Sequence, residues 1–243
     1  MNSNGTCLNK NDIKVKISTY YQTNRDYFDK LDRVFADRGK EAYQRGSFDI
    51  LSYAKSATCI LDIGCGSGAL LFFLRGVYPE KQYYGIDVSP LAIEKASQKN
   101  AGNMSPVTFL VADIEKDVPF EKEMFDLVIA HEVIEHFVDP EKAIFNIAET
   151  LKPGGFFFLL APNRLVRSSL HIVIKKMFDY ARMVFDKEYI NPTIVDPSLD
   201  IIGGDSDAVY VANPWELHRM ARLAGFDMVK KSHLKCRFLA RKL

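Results

Sequence analysis

Residues 59–73 read CILDIGCGSGALLFF, and the succession of residue types along them decides the fold. Cys59, Ile60, Leu61 and Ile63 make an apolar run of strand length. Gly64, Gly66 and Gly68 then alternate with Cys65 and Ser67, and Ala69 to Leu74 resume as an apolar helix. A strand, a glycine turn and a helix in that order bring the backbone close to a nucleotide-like ligand.

The same alternation continues outward. Strands are predicted over 58–63, 82–87, 107–112, 125–130 and 155–161, with helices over 69–77, 89–100 and 140–151. Ser89 and Pro90 open one helix as N-cap and first residue, and the other prolines of this region fall between elements. Helical spacing also joins Tyr20, Tyr21, Phe28, Leu31, Val34 and Phe35, and a short helix is expected around Phe48–Tyr53. Near the C-terminus NPWELHRMARLAG reads as a helix closed by Gly225, followed by two short strands. Strands alternating with helices predict an α/β fold around a parallel, doubly wound sheet. Residues 1–12 read as a flexible tail and 13–243 as a single domain, with helices over 13–57. Residues 163–212 interrupt the rhythm as an insert, read equally as a substrate lid or as an amphipathic helix covering a sheet edge.

Composition narrows the class. The 243 residues are 47% hydrophobic and 26% charged, ordinary values for a globular chain. A formal charge of +1 gives no global field for nucleic acid, which is not expected as a partner. The four cysteines show no C-x-x-C spacing and suit free thiols in a reducing compartment. The polar N-terminus lacks the apolar stretch of a secretory signal, and no apolar run approaches the ~20 residues of a membrane span. A cytoplasmic protein is the expectation.

Three ligand classes compete for the glycine turn: a nucleoside triphosphate, a dinucleotide and an adenosyl compound. No Lys-Ser or Lys-Thr follows the glycines, so the phosphate-binding P-loop is absent. Gly68 follows Gly66 by two positions where the dinucleotide fingerprint wants three, although Ala69 is a tolerated variant there. Asp62 is more telling, because a carboxylate beside the turn opposes a phosphate and attracts a cation. Asp87 closes the second strand about 20 residues downstream, the place of a ribose-binding carboxylate. Asp113 ends the third strand, where it could accept from an adenine amino group. Each of the three also has a plain reading as a helix cap.

LDIGCGSG, GIDVS, VADIE, FDLVIAHEVIEH and LKPGGFFFLLAP, spread from Leu61 to Pro162, together resemble the motif series of the class I S-adenosylmethionine-dependent methyltransferases. The resemblance implies a Rossmann-like, seven-stranded, mostly parallel sheet with an antiparallel last strand. It further implies that Gly64, Cys65, Gly66 and Gly68 hold the methionine part of the cofactor. Asp87 with Val88 would hold the ribose, and Asp113 with Ile114 the adenine. His131 would lie near the sulfonium.

The stretch from His131 to Arg164 resembles more closely the ubiquinone-pathway O-methyltransferases, as does GGDSDAVYVANPWELHRMARLAGF. By the same likeness YQRGSFDIL makes Arg45 a partner for the cofactor's carboxylate, unless it is an ordinary surface arginine. Two departures stand out: Ser206 replaces a histidine of that subfamily, and the insert is longer. Small-RNA 2′-O-methyltransferases share the Glu-x-x-Glu-His turn and use it to bind a divalent ion. Glu132, Glu135 and His136 match that turn, but without an evident fourth ligand no metal site is assigned.

The expected activity is methyl transfer to a small-molecule acceptor, most readily an oxygen, with S-adenosylhomocysteine as the other product. His131 and His136 are the candidate bases because imidazole titrates near neutrality. Arg164, Arg167, Lys175 and Lys176 motivate a second reading, a methyltransferase acting on RNA or protein. A non-catalytic adenosyl-binding module and a nicotinamide oxidoreductase are the remaining alternatives. The basic and apolar stretch 165–185 also allows peripheral contact with a membrane. The chain is expected to be a monomer or homodimer.

Overall fold

The computed structural model describes residues 9–23, 27–34, 50–102, 107–116, 118–168, 170–195, 207–232 and 236–243. Arg45, Ser206 and most of residues 1–12 lie outside them. Two helices lead the described chain, α1 (Lys10–Thr23) and α2 (Tyr27–Val34), followed by α3 (Ile50–Ser56). Then come β1 (Cys59–Ile63), α4 (Ala69–Val77), β2 (Gln82–Asp87), α5 (Pro90–Asn100), β3 (Thr108–Val111) and β4 (Phe125–His131). A single helical turn, Ile134–His136, leads to α6 (Pro140–Thr150) and β5 (Leu151–Ala161). The chain closes with α7 (Leu170–Phe185), α8 (Pro214–Leu223), β6 (Phe226–Lys231) and β7 (Cys236–Lys242).

The seven strands lie in the order β3-β2-β1-β4-β5-β7-β6. β7 runs antiparallel to both of its neighbours, and every pairing among β1 to β5 is parallel. This is the sheet that the sequence predicts. Alternate residues of the central strands serve two apolar layers, as the period of a strand requires. Leu61, Val128 and Phe157 pack with α6 and α8 on one face, while Ile60, Leu127 and Phe158 pack with α3 and α4 on the other. Strand order reverses between β1 and β4, so the crevice of an open α/β sheet falls beyond their carboxyl ends.

The structure shifts two boundaries. α1 begins at Lys10, inside the stretch read as a tail. β5 begins at Leu151 instead of 155, because LKPGG continues the strand through an irregularity opposite Phe125 and Leu127, with Gly154 at φ 81°. A register break of this kind accommodates Pro153 inside a strand. The end of the insert packs against the sheet. Ala208 to Ala212 are fully buried, and Val195 and Val211 exchange backbone bonds with Val209 and Thr193 as a short antiparallel strap. Val209 and Tyr210 both donate to the carbonyl of Glu135, which ties this strap beneath the turn after β4.

Candidate functional site

A cavity of about 370 Å³ opens at the carboxyl ends of β1, β2 and β3. Its floor is Ile63, Gly64 and Gly66 from the end of β1, with Ile86 and Asp87 from β2. Val88, Asp113 and Ile114 border the adjoining side, and Glu132, Val133 and His136 the side nearest β4. α1 and α2 roof it with Lys14, Ile17, Tyr21, Tyr27 and Phe28. The sequence reading missed this roof; only the helical spacing of Tyr21 and Phe28 pointed to it.

Four amides of the glycine turn are bonded within the protein. The amides of Gly64 and Cys65 both donate to the carbonyl of Ile86, at 2.8 and 3.0 Å, and that of Gly68 donates to Cys65 at 2.9 Å. The amide of Gly66 donates to Oδ2 of Asp87 at 3.0 Å, and the amide of Ser89 donates to Oδ1 of the same residue at 2.9 Å. A pyrophosphate site works by aiming free turn amides at the anion. Here the amides of Gly64, Cys65, Gly66 and Gly68 face protein acceptors, one of them a carboxylate in the cavity wall, while the first turn of α4 has no side-chain cap. Glycine at 64 is required twice over: φ is 67°, and a Cβ would collide with the side chain of Val133.

Asp87 retains acceptor capacity, since a carboxylate offers about four lone-pair directions and two are used. Burial raises its carboxyl, opposed by the amides of Ser89 and Gly66 and by His136. Asp113 accepts the amide of Glu115 at 3.0 Å through Oδ1, and Lys14 lies 3.2 Å from its Oδ2. That lysine, on α1, also pairs with Glu115 at 3.2 Å.

Several predicted residues stand elsewhere. Asp62, Cys65, Gly68 and His131 are not among the cavity's lining residues. Asp62 shares the β1 face of Ile60, the face packed by α3 and α4. Burial and Asp87 push its carboxyl well above the usual range, which favours the neutral acid. Asp62 therefore does not face the cavity as the carboxylate expected to oppose a phosphate; Asp87 is the carboxylate in its wall. Cys65 is buried below the turn, in the space that Gly85 leaves by lacking a Cβ. Glu135 is buried 3.8 Å from Arg164, and burial raises its carboxyl, opposed by His136 and reinforced by Glu132. Among the described residues no three His, Cys, Asp or Glu side chains are grouped to hold a metal ion.

His131 closes β4 opposite Leu160. Burial pulls its imidazole below the usual 6.5, against the opposing effect of Glu132 and with that of Arg237. The unfolded chain therefore takes up this proton more readily, so the stabilising contribution is full above about pH 6.5 and is lost as the pH falls below it. Urea midpoints measured at roughly pH 7.5 and 5.5 are expected to differ less in His131→Gln than in the parent chain. An unchanged difference would show that other groups set the acid sensitivity.

His136 does reach the cavity. Its Nδ1 lies 3.1 Å from the carbonyl of Asp207 and 3.7 Å from that residue's Oδ2. A carbonyl only accepts, so the bond assigns the proton to Nδ1 and leaves the lone pair on Nε2. Asp207 belongs to the strap, and the sequence reading did not single it out.

A family model described as a methyltransferase domain matches residues 54–197. The chain is 30% identical over 168 residues to a ubiquinone biosynthesis O-methyltransferase of Thiobacillus denitrificans, covering 69% of this chain and 64% of that one. It is 37% identical over 96 residues to the malonyl-[acyl-carrier protein] O-methyltransferase of Anoxybacillus flavithermus, covering 40% of this chain and 36% of that one. The match thus spans less than two-thirds of each relative. Human N-acetylserotonin methyltransferase, solved in complex with SAM, is similar with a TM-score of 0.63 at 20% identity, over 97% of this chain and 60% of that one. The PH0226 protein of Pyrococcus horikoshii gives 0.62 at 21% identity, over 93% and 99%. At these identities the solved structures establish a shared fold.

Proposed function

Because the chain belongs to the S-adenosylmethionine-dependent methyltransferase-domain family, we propose that it moves a methyl group from S-adenosylmethionine to a small-molecule acceptor, with oxygen the leading acceptor atom. The observation that carries this reading is the cavity at the ends of β1 to β3 with Asp87 and Asp113 in its wall, beside a glycine turn whose amides at 64, 65, 66 and 68 are bonded within the protein. It suits a ligand with two ribose hydroxyls, and the family to which the chain belongs favours one with a cationic sulfonium. The cavity also has the size of a small-molecule site. Asp87 and Val88 would take the ribose, Asp113 and Ile114 the adenine, and Gly64 and Gly66 the methionine part. Oxygen as acceptor draws support from the names of both curated relatives.

When bound, the cofactor supplies a methyl carbon already activated by its sulfonium. The chain's own contribution is alignment, exclusion of water and removal of one proton. Phe28, Val133 and Phe137 wall the cavity with apolar surface. His136, held through Nδ1, presents Nε2 as the acceptor for a hydroxyl proton. Incubation with methyl-labelled cofactor and a metabolite extract should transfer label to a small compound. His136→Gln should cut that transfer by about 10²–10⁴, the usual worth of a positioned base, while S-adenosylhomocysteine still binds. No label on any compound would leave a non-catalytic adenosyl-binding module as the better account.

The macromolecular reading loses part of its motive. Of the four basic residues behind it, Arg164 and Lys176 are buried, paired with Glu135 and Glu216. They are not available to a phosphate backbone.

α7 supports a finer reading of the partners. Its inward face carries Lys176 and Asp179, while Leu170, Met177, Phe178, Val184 and Phe185 are exposed, Phe178 to 74% and Phe185 to 90%. The helix's only carboxylate, Asp179, is turned inward, and Lys175 and Arg182 remain to flank the apolar face. An apolar stripe with a cationic rim suits the surface of an anionic bilayer. No described helix is long and apolar enough to cross a membrane. The chain should sediment with vesicles containing anionic lipid, and Phe178→Asp/Phe185→Asp should release it; equal recovery with neutral vesicles would argue against this surface.

A further inference from the structure

The roof and the candidate base meet at one carboxylate. The hydroxyls of Tyr21 and Tyr27, on α1 and α2, each donate to Oδ2 of Asp207 at 3.2 Å. Burial, reinforced by Asp207, pushes both phenols up, so both remain O–H donors. Asp207 is itself only 4% exposed. The same residue accepts from Nδ1 of His136 through its backbone carbonyl, and the ring of Tyr21 stands edge-on to the imidazole with centroids 6.3 Å apart. Asp207 is well anchored, because the strap that follows it donates two amides to Glu135, the residue before His136.

These contacts bind parts of the chain that are remote in sequence. Tyr21 and Tyr27 lie in the cavity's roof, and His136 lies in its wall. Were α1 and α2 to lift from the cavity, the two hydroxyls would part from Oδ2. His136 would then lose its edge contact with Tyr21, and Asp207 both phenolic donors. We propose that Asp207 is a positioning residue that couples closure of the roof over the cavity to the orientation of His136. The base would then be aligned only when water is shut out, which is what an acceptor of low acidity needs. The inference rests on the reading of His136 as the base.

The test needs no acceptor. In Tyr21→Phe/Tyr27→Phe the rings stay and only the two hydroxyls go. Amide exchange in α1 and α2 should rise roughly tenfold or more, the change expected from losing two ordinary hydrogen bonds, while β1 and β4 exchange as before. The side-chain ¹⁵N shifts of His136 should move from a single Nδ1–H tautomer toward a mixture of both. Asp207→Asn should show both changes; if it does not fold, the tyrosine variant decides alone. Roof exchange that stays at the parent rate would overturn the proposal. So would faster exchange with unmoved His136 shifts, since closure and orientation would then be independent. Turnover retained in His136→Gln is a separate result: it would sink the base assignment and leave the roof-to-imidazole coupling as measured.

Discussion

Asp87→Ala is expected to weaken S-adenosylhomocysteine binding by about 100-fold or more. Two hydrogen bonds from ribose hydroxyls to a carboxylate are worth about 1.5–3 kcal/mol each, and every 1.4 kcal/mol is tenfold in affinity. The change also takes the acceptor from the amides of Gly66 and Ser89, which hold the turn against the end of β2. Asp87→Asn is the sharper variant. It keeps the shape, but its NH₂ group must face one of those two amides, donor against donor. Calorimetry would measure both, with thermal melting to verify that the sheet survives. Affinity within threefold of the parent in both variants would remove Asp87 from the binding site.

Lys176→Met is expected to be the most destabilising single change in the insert. Nζ of Lys176 lies 2.5 Å from Oε1 of Glu216 and 2.5 Å from the carbonyl of Asn191, and both charged side chains are 2% exposed. Burial raises the Glu216 carboxyl, and Lys176, Asn213 and Tyr210 draw it back. Removing the ammonium leaves a buried carboxylate with neutral donors alone, which costs about 3–5 kcal/mol. At about 2–4 °C per kcal/mol for a domain of this size, the melting temperature should fall by roughly 10 °C. Adding Glu216→Gln should recover part of the loss, because the amide oxygen still accepts and of the two carboxylates beside Lys176 only Asp179 then remains charged, with Tyr189 and Asn191 as its donors. A single variant melting within about 2 °C of the parent would show that the pair is solvated, contrary to its burial.

The alternation from Cys59 to Ala161 was legible because strand and helix impose different apolar periods, and because proline and glycine mark the joints. The glycine turn and the three strand-end aspartates could be placed on one rim for the same reason. Which way a side chain faces at that rim was not legible: Asp62 and Asp87 both adjoin the turn, yet only Asp87 lines the cavity. Local pattern was equally silent on the roof, since Tyr21 meets Asp207 across 186 positions of chain. α7 shows a different limit. Its amphipathic period is plain, but the period does not say which stripe is buried, and here Lys176 and Asp179 face inward while Phe178 and Phe185 face out. The ion pair with Glu216 draws Lys176 inward beside the apolar Ile172 and Met183.

The central claim is that the cavity beyond β1 and β2, with Asp87 in its wall, binds an adenosyl sulfonium compound in preference to a dinucleotide. Calorimetric titration of the parent chain with S-adenosylhomocysteine and, separately, with NAD addresses it directly. The account predicts saturable binding of S-adenosylhomocysteine and no measurable heat from NAD. Tight binding of NAD with none of S-adenosylhomocysteine would contradict it.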